Sequence, residues 1–224
     1  LGNAVDPFET LDKFGPDATR WYMISNSNPW DNLKFDVSGI EEVRRKFFGT
    51  LHNIYSFFSL YANIDEFKNE EKIIDYKERC ELDRWIISEL NTLVKEVNDA
   101  YENYEPTKSA RLISKFVQDN LSNWYVRLSR RRFWKGEYNT DKIAAFQTLL
   151  ECLKTVSILS SPISPFFMDN LFQDLTMNNE SVHLTDFPNY SESLINKELQ
   201  TKIRKSQEIC SLALSLRKKE KIKV

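Results

Sequence analysis

The sequence predicts an all-α fold, a bundle of four to five long helices behind a short N-terminal helical junction. Three observations predict it. Apolar residues recur at three- and four-residue intervals over long stretches, the spacing of one helix face. Only five Gly and seven Pro occur in 224 residues, and most of the Pro fall between the periodic stretches. Those boundaries also carry helix start and stop chemistry. A chain of this length buries a sizeable core, and fifteen Phe and five Trp supply large side chains to fill it.

Asp6, Pro7 and Glu9 combine an N-cap, a Pro at the first helical position and a capping-box partner, so a short helix begins there. Gly15-Pro16 ends it, and a second short helix is expected over residues 17–24. Residues 26–37, with Pro29, Trp30 and Asp31-Asn32, read as a loop with a brief extended piece at residues 33–35. Ser38-Gly39-Ile40-Glu41 reads as a capping box opening a long helix with Ile40, Val43, Phe47, Leu51, Ile54, Phe58 and Tyr61 inward. Residues 65–76 are charged and weakly periodic, an exposed linker.

Leu82, Ile86, Leu90, Leu93, Val97 and Tyr101 mark a second long helix, ended by Glu105-Pro106. The third opens at Pro106-Thr107, carries Ile113, Phe116, Val117, Leu121, Trp124, Tyr125 and Leu128 inward, and closes at Gly136. The fourth covers residues 141–160 through Ile143, Phe146, Leu150, Leu153 and Val156. Ser164-Pro165 then caps a short fifth helix carrying Phe166, Phe167, Leu171, Phe172 and Leu175. Val182-His183-Leu184 reads as a short strand or extended strap, and a last helix runs from about Leu194 toward Lys218, Lys219, Lys221 and Lys223. Short connections between long helices favour antiparallel neighbours.

Cys80, Cys152 and Cys210 are scattered, so neither a disulfide framework nor a zinc spacing is legible, and a reducing compartment is expected. No uninterrupted apolar run reaches the roughly 18 to 20 residues that span a bilayer, and the first residues lack a signal pattern. A cytoplasmic protein without membrane contact is the expectation. His52, beside an apolar stripe, and His183, in an apolar segment, read as structural or surface residues. No Gly-rich phosphate loop, nucleophile elbow or metal-ligand helix motif occurs, so no catalytic residue, metal or cofactor site is assigned.

A net charge of −2 argues against a dedicated nucleic-acid binder. The distribution says otherwise. From Asn123 to Lys135 stand five basic residues, Arg127, Arg130, Arg131, Arg132 and Lys135, and no acid, whereas Asp65 to Asp83 hold eight acids against four bases. On a helix Arg127, Arg130, Arg131 and Trp134 share one face, which cannot be core. Forked guanidinium donors match phosphate, and an aromatic beside them offers a stacking platform for a base, so the combination suits RNA. Two readings stay open from the residues alone: an RNA or other polyanion surface, or arginines paired within the protein on a solvated face. Arg132 follows Leu121, Tyr125 and Leu128 along the inner stripe and is expected to pair with an acid inside the bundle. The C-terminal lysines read mainly as a solvated helix end.

Gly2-Asn3, Val5-Asp6-Pro7 and the run Lys13-Phe14-Gly15-Pro16-Asp17-Ala18-Thr19-Arg20-Trp21-Tyr22 resemble the stretch after the Lys-Met-Ser-Lys-Ser loop of class I aminoacyl-tRNA synthetases for branched aliphatic amino acids. Asp83-Arg84-Trp85-Ile86, Tyr104-Glu105-Pro106-Thr107 and Asn123-Trp124-Tyr125 resemble successive helices of their anticodon-binding bundle. Ser129-Arg130-Arg131-Arg132-Phe133-Trp134 is similar to the isoleucyl type rather than its valyl and leucyl relatives, and Ser164-Pro165-Phe166-Phe167, Val182-His183-Leu184 and Phe187-Pro188 resemble its later segments. The resemblance covers nearly the whole chain.

It implies a class I synthetase anticodon-binding domain: a junction over residues 1–37, the bundle over 38–190, and over 191–224 the start of a C-terminal helical extension, cut short. It implies docking of the anticodon stem and loop of an isoleucine-accepting tRNA, with Arg127, Arg130, Arg131, Trp134 and Lys135 as contact candidates. Residues 17–22 would form a hinge-like junction to the catalytic fold. The parent enzyme implied is a ligase joining isoleucine to tRNA with ATP and Mg²⁺, its catalytic and editing domains elsewhere in the same chain. Both nucleotide-binding signatures and the editing insertion are missing here, so an excised fragment without catalytic site or cofactor is expected. The zinc ligands of some relatives have no counterpart. The alternatives are a helical protein-interaction or structural domain, and the equivalent domain of a valyl or leucyl relative.

Overall fold

Asp6 starts the first helix as its sequence position predicts. In the computed structural model, which describes residues 5–222, its Oδ1 accepts from the N–H groups of Phe8 (2.7 Å) and Glu9 (3.3 Å) at the head of α1, Pro7–Phe14. The Gly2-Asn3 part of the resemblance and Lys223 lie outside the described residues. Gly15 takes φ 82°, a left-handed value that glycine tolerates, so α2 (Pro16–Asn26) restarts at once in a new direction.

The next helix begins earlier than the Ser38 box predicts, because Asp36 is its cap. The Asp36 carboxylate accepts from the Ser38 N–H at 2.9 Å and from the Ser38 hydroxyl at 2.7 Å, and α3 (Val37–Val43) opens there. It passes through a π-helical segment, Arg44–Phe48, straight into α4 (Gly49–Ile64). There follow α5 (Glu81–Glu102) and a third rod made of α6 (Pro106–Lys115), a second π segment (Phe116–Val126) and α7 (Arg127–Trp134). Then come α8 (Thr140–Ser160), α9 (Pro165–Thr176) and α10 (Lys197–Lys219). The four long helices expected from periodicity are therefore present, two of them wound partly as π-helix.

Among the described residues there is no strand. Val182–Leu184, expected as strand or strap, is a 3₁₀ turn. Its backbone is satisfied locally: Asp169 Oδ1 accepts from the Ser181 hydroxyl (2.7 Å) and the Val182 N–H (2.8 Å), and only Val182 is buried.

α8 is the central helix. Ala145, Phe146, Leu149, Cys152, Leu153, Val156 and Leu159 are fully buried. It is long and apolar enough to cross a membrane by composition, although no single apolar run in it is unbroken, but most of it is enclosed by the other helices. Phe146 receives Phe58, Phe67 and Phe133 at centroid distances of 6.1, 5.0 and 5.0 Å. Phe67 belongs to the stretch predicted to be an exposed linker. Most of residues 65–76 are exposed, as expected of a linker, but the stretch is stitched to α8 and to the residues just before it. Lys142 pairs with Asp65 at 2.6 Å, Tyr138 bonds Glu71, and Gln147 bonds the Ile74 N–H and the Lys72 carbonyl, both at 2.9 Å. One apolar core runs from Phe14 and Trp21 on the first two helices through the bundle to Leu199 on α10.

Candidate nucleic-acid interface

The rod over residues 106–134 carries the basic run, and its winding decides which arginines face outward. Ile113, Val117, Leu121, Tyr125, Ser129 and Phe133 are all fully buried, a stripe of strict four-residue spacing. In a regular α-helix each such step turns about 40° further round, and the stripe would leave the core within a few turns. The π segment, with its i→i+5 bonds, holds more residues per turn and keeps the stripe inward. This corrects the inner assignment of Leu128, which is 55% exposed, while Trp124 is half-buried.

Arg127, Arg130, Arg131, Trp134 and Lys135 are all exposed, as predicted. Among the described residues the side chains of these four cations have no hydrogen-bond or ion-pair partner. The indole of Trp134 is 49% exposed beside them. Of the two readings the residues left open, the structure therefore disfavours arginines paired within the protein.

Arg132 behaves differently, as expected. Its Nη1 and Nη2 donate to Asp83 Oδ1 and Oδ2, both at 2.7 Å, and its Nε donates to Asp141 Oδ2 at 2.9 Å. Tyr125 Oη donates to Asp83 Oδ1 at 2.7 Å, completing the shell of a carboxylate that is 0% exposed. Burial works against the Arg132 charge, but the bonds to Asp83 and Asp141 outweigh it and hold the guanidinium pKa above its ordinary value. Burial, reinforced by the Asp83 charge, pushes the Tyr125 phenol well up. Ligand-type atoms of Cys80, Asp83 and Asp141 lie within 4.8 Å of one another, but the cation this cluster holds is Arg132.

α10 adds a feature the sequence reading missed. Leu199 and Ile203 pack on the core, and beyond them the helix is largely exposed, with Gln207, Cys210 and Leu214 facing Trp124, Arg127 and Leu128 across a groove of about 520 Å³. The spacing of those three α10 residues, i, i+3 and i+7, was the available signal. Both histidines are exposed: His52 Nε2 lies 3.4 Å from Ser56 Oγ, and His183 Nε2 lies 3.2 Å from the Pro165 carbonyl.

The fold and this edge define a class, an all-α bundle domain with an exposed cationic face. A family model described as "Anticodon-binding domain of tRNA ligase" matches residues 83–224, and the chain belongs to that family. Over its whole length it is 59% identical to an isoleucine-tRNA ligase of Bacteroides thetaiotaomicron and 58% identical to one of Porphyromonas gingivalis. Over 99% of its length it is 46% identical to one of Dehalococcoides mccartyi. The chain spans 20%, 20% and 22% of these proteins, so about a fifth of the length of the curated relatives it matches. A leucyl-tRNA synthetase from Agrobacterium radiobacter, solved in a ternary complex with tRNA and LeuAMS, superposes with a TM-score of 0.67 over 88% of this chain and 22% of that one. At 19% identity this likeness shows the fold alone.

Proposed function

We propose that the chain is the tRNA-docking part of an isoleucine-tRNA ligase and holds the anticodon stem and loop on Arg127, Arg130, Arg131, Trp134 and Lys135. The observation that carries the site is that these guanidiniums lack any counter-charge among the described residues. Like charges four apart on one helix cost a few tenths of a kcal/mol per pair, and a phosphate backbone relieves that cost. Identity of 59% to isoleucine-tRNA ligases, against 19% to the leucyl structure, supports the isoleucyl type.

The whole ligase, on this reading, joins isoleucine to tRNA in the cytoplasm with ATP and Mg²⁺, and its catalytic and editing domains are other parts of a longer chain. Among the described residues the candidate metal cluster of Cys80, Asp83 and Asp141 does not fit a metal, since the Arg132 guanidinium already sits on both of its carboxylates. The contribution made here is positioning, with residues 1–37 as the junction, 38–190 as the bundle and 191–224 as the start of a further helical extension.

The test is titration of tRNA with the full-length ligase carrying Arg130→Ala and Arg131→Ala across a salt series. Binding weakens, and the slope of log K against log salt falls by about 0.7 to 0.9 for each phosphate that is no longer neutralised. Isotherms identical to wild type would rule the assignment out.

A further inference from the structure

α2 has no C-cap of its own. Ser27 at its end is extended, and no basic residue stands in its last turn. The last carbonyls of a helix need outside donors, and here α6 supplies them. Thr107 shares its hydroxyl proton between the carbonyls of Ile24 (2.8 Å) and Ser27 (3.1 Å). Arg111 donates from Nε to the Ser25 carbonyl (2.8 Å) and from Nη2 to the Asn26 carbonyl (2.9 Å). A turn further on, Ser114 Oγ accepts from Trp21 Nε1 at 3.1 Å, and the Trp21 ring stacks on Phe47 at 4.1 Å.

The opposite end of α2 is tied to the α8–α9 turn. Arg20 donates to the carbonyls of Ile163 (2.8 Å) and Pro162 (3.3 Å), and Asp17 Oδ2 accepts from the Phe167 N–H at 2.5 Å in the first turn of α9. So α2 is capped by one helix of the bundle while it caps another. Arg111 is exposed, yet among the described residues it pairs with no carboxylate. Its fork is held by backbone carbonyls at the negative end of a helix.

The helix that grips α2 through Thr107, Arg111 and Ser114 is the one that presents Arg127, Arg130, Arg131 and Trp134 farther along. The outer side of the α1–α2 pair is apolar, with Val5, Leu11, Met23 and Phe35 lining a groove of about 420 Å³.

We propose that Arg111 and Thr107 are positioning residues of the ligase. They fix α1 and α2 to the helix carrying the RNA face, so that tRNA seated there is presented to the rest of the ligase in one orientation. This rests on the tRNA-docking reading above.

The test compares Arg111→Ala, Thr107→Val and Thr107→Ser in the full-length ligase by three readouts: tRNA affinity, isoleucine-dependent ATP–pyrophosphate exchange without tRNA, and the kcat of tRNA charging. Misplacement of reacting groups by about 1 Å costs on the order of a hundredfold in rate. Arg111→Ala and Thr107→Val should therefore lower charging by about tenfold or more, with exchange and tRNA affinity within about twofold of wild type, and Thr107→Ser should restore charging. Charging at the wild-type rate overturns the proposal. So does a parallel fall of charging and exchange, the mark of general structural damage. Should Thr107→Val fail to fold, Arg111→Ala, at an exposed position, carries the test alone. Failure of the underlying reading shows separately, as unchanged tRNA affinity in the Arg130→Ala, Arg131→Ala protein, and would remove this inference with it.

Discussion

Arg131 and Arg132 are adjacent in sequence and should give opposite phenotypes when replaced by Ala. Arg132 lies on the flank of the helix where its guanidinium closes both oxygens of a carboxylate that is 0% exposed. Removing it leaves Asp83 buried with only the Tyr125 hydroxyl, and breaking a buried pair from one side costs about 3–5 kcal/mol. The Asp141 side chain is 53% exposed and returns to water at little cost. In a domain of this size 1 kcal/mol moves the melting temperature by about 2–4 °C, so Arg132→Ala should melt roughly 6–20 °C lower.

Among the described residues Arg131 has no partner to lose, and Arg127 one turn before it is a like charge. Arg131→Ala should leave stability within about 0.5 kcal/mol of wild type, tending toward a small gain. Its cost appears in RNA binding, as weaker affinity and a shallower salt slope between about 50 and 200 mM salt. The assay is a paired one, thermal melting and tRNA titration of each variant well below its melting point. A melting temperature for Arg132→Ala within about 3 °C of wild type would refute the reasoning, as would a large drop for Arg131→Ala.

Gly39→Ala should destabilise by about 1–3 kcal/mol in urea unfolding, because its Cβ would fall 2.3 Å from Tyr22 Cε2 and that ring, 5% exposed, is held by the Asp36 N–H at 2.9 Å on its hydroxyl. An unshifted midpoint would show the ring is free to yield. Trp134→Ala should weaken tRNA binding by about 1–3 kcal/mol if a base stacks on the ring, with the melting temperature almost unchanged; equal affinity counts against the platform. Burial raises the Asp17 carboxyl pKa, and the Phe167 N–H and Arg20 oppose this without cancelling it. The folded state thus keeps a proton that the unfolded chain releases from about pH 3.9, so this contribution is greatest at low pH and is lost as pH rises to the raised folded value. Asp17→Asn should flatten that part of a melting-temperature profile against pH, and an unaltered slope would remove Asp17 as its source.

Helix existence was legible because burial follows periodicity: Ile40, Leu51, Ile86, Leu90, Val97, Leu153 and Val156 all face the core from the stripes that predict them. Caps with a single strong chemical signal, Asp6 and Gly15, were legible too. The π segments were not, because no residue type encodes them; for the second, the four-residue spacing from Ile113 to Phe133 is a trace, and it shows once burial is known. Phe67 was missed because one aromatic among acids and lysines has no periodicity, although its stacking on Phe146 at 5.0 Å anchors the whole segment. For the candidate site, the sequence named the outward arginines and singled out Arg132. It could not place the α10 groove, since that depends on where a distant helix lands.

Net charge misled where local pairing did not. Three of the eight acids between Asp65 and Asp83 are drawn to cations elsewhere in the fold: Asp65 to Lys142, Glu81 to Lys202, and Asp83 to Arg132. None of these cations is among the exposed contact candidates on α7 and at its end, which among the described residues are left without acids of their own. At about 0.1 M salt, charges more than about 10 Å apart are largely screened, so the field at this edge is set by nearby unpaired groups and not by the total. A chain with a formal charge of −2 can therefore carry a positive edge. The partition is made by the fold: the π segment keeps Tyr125, Ser129 and Phe133 inward, Arg132 on the flank within reach of Asp83, and Arg127, Arg130 and Arg131 in solvent.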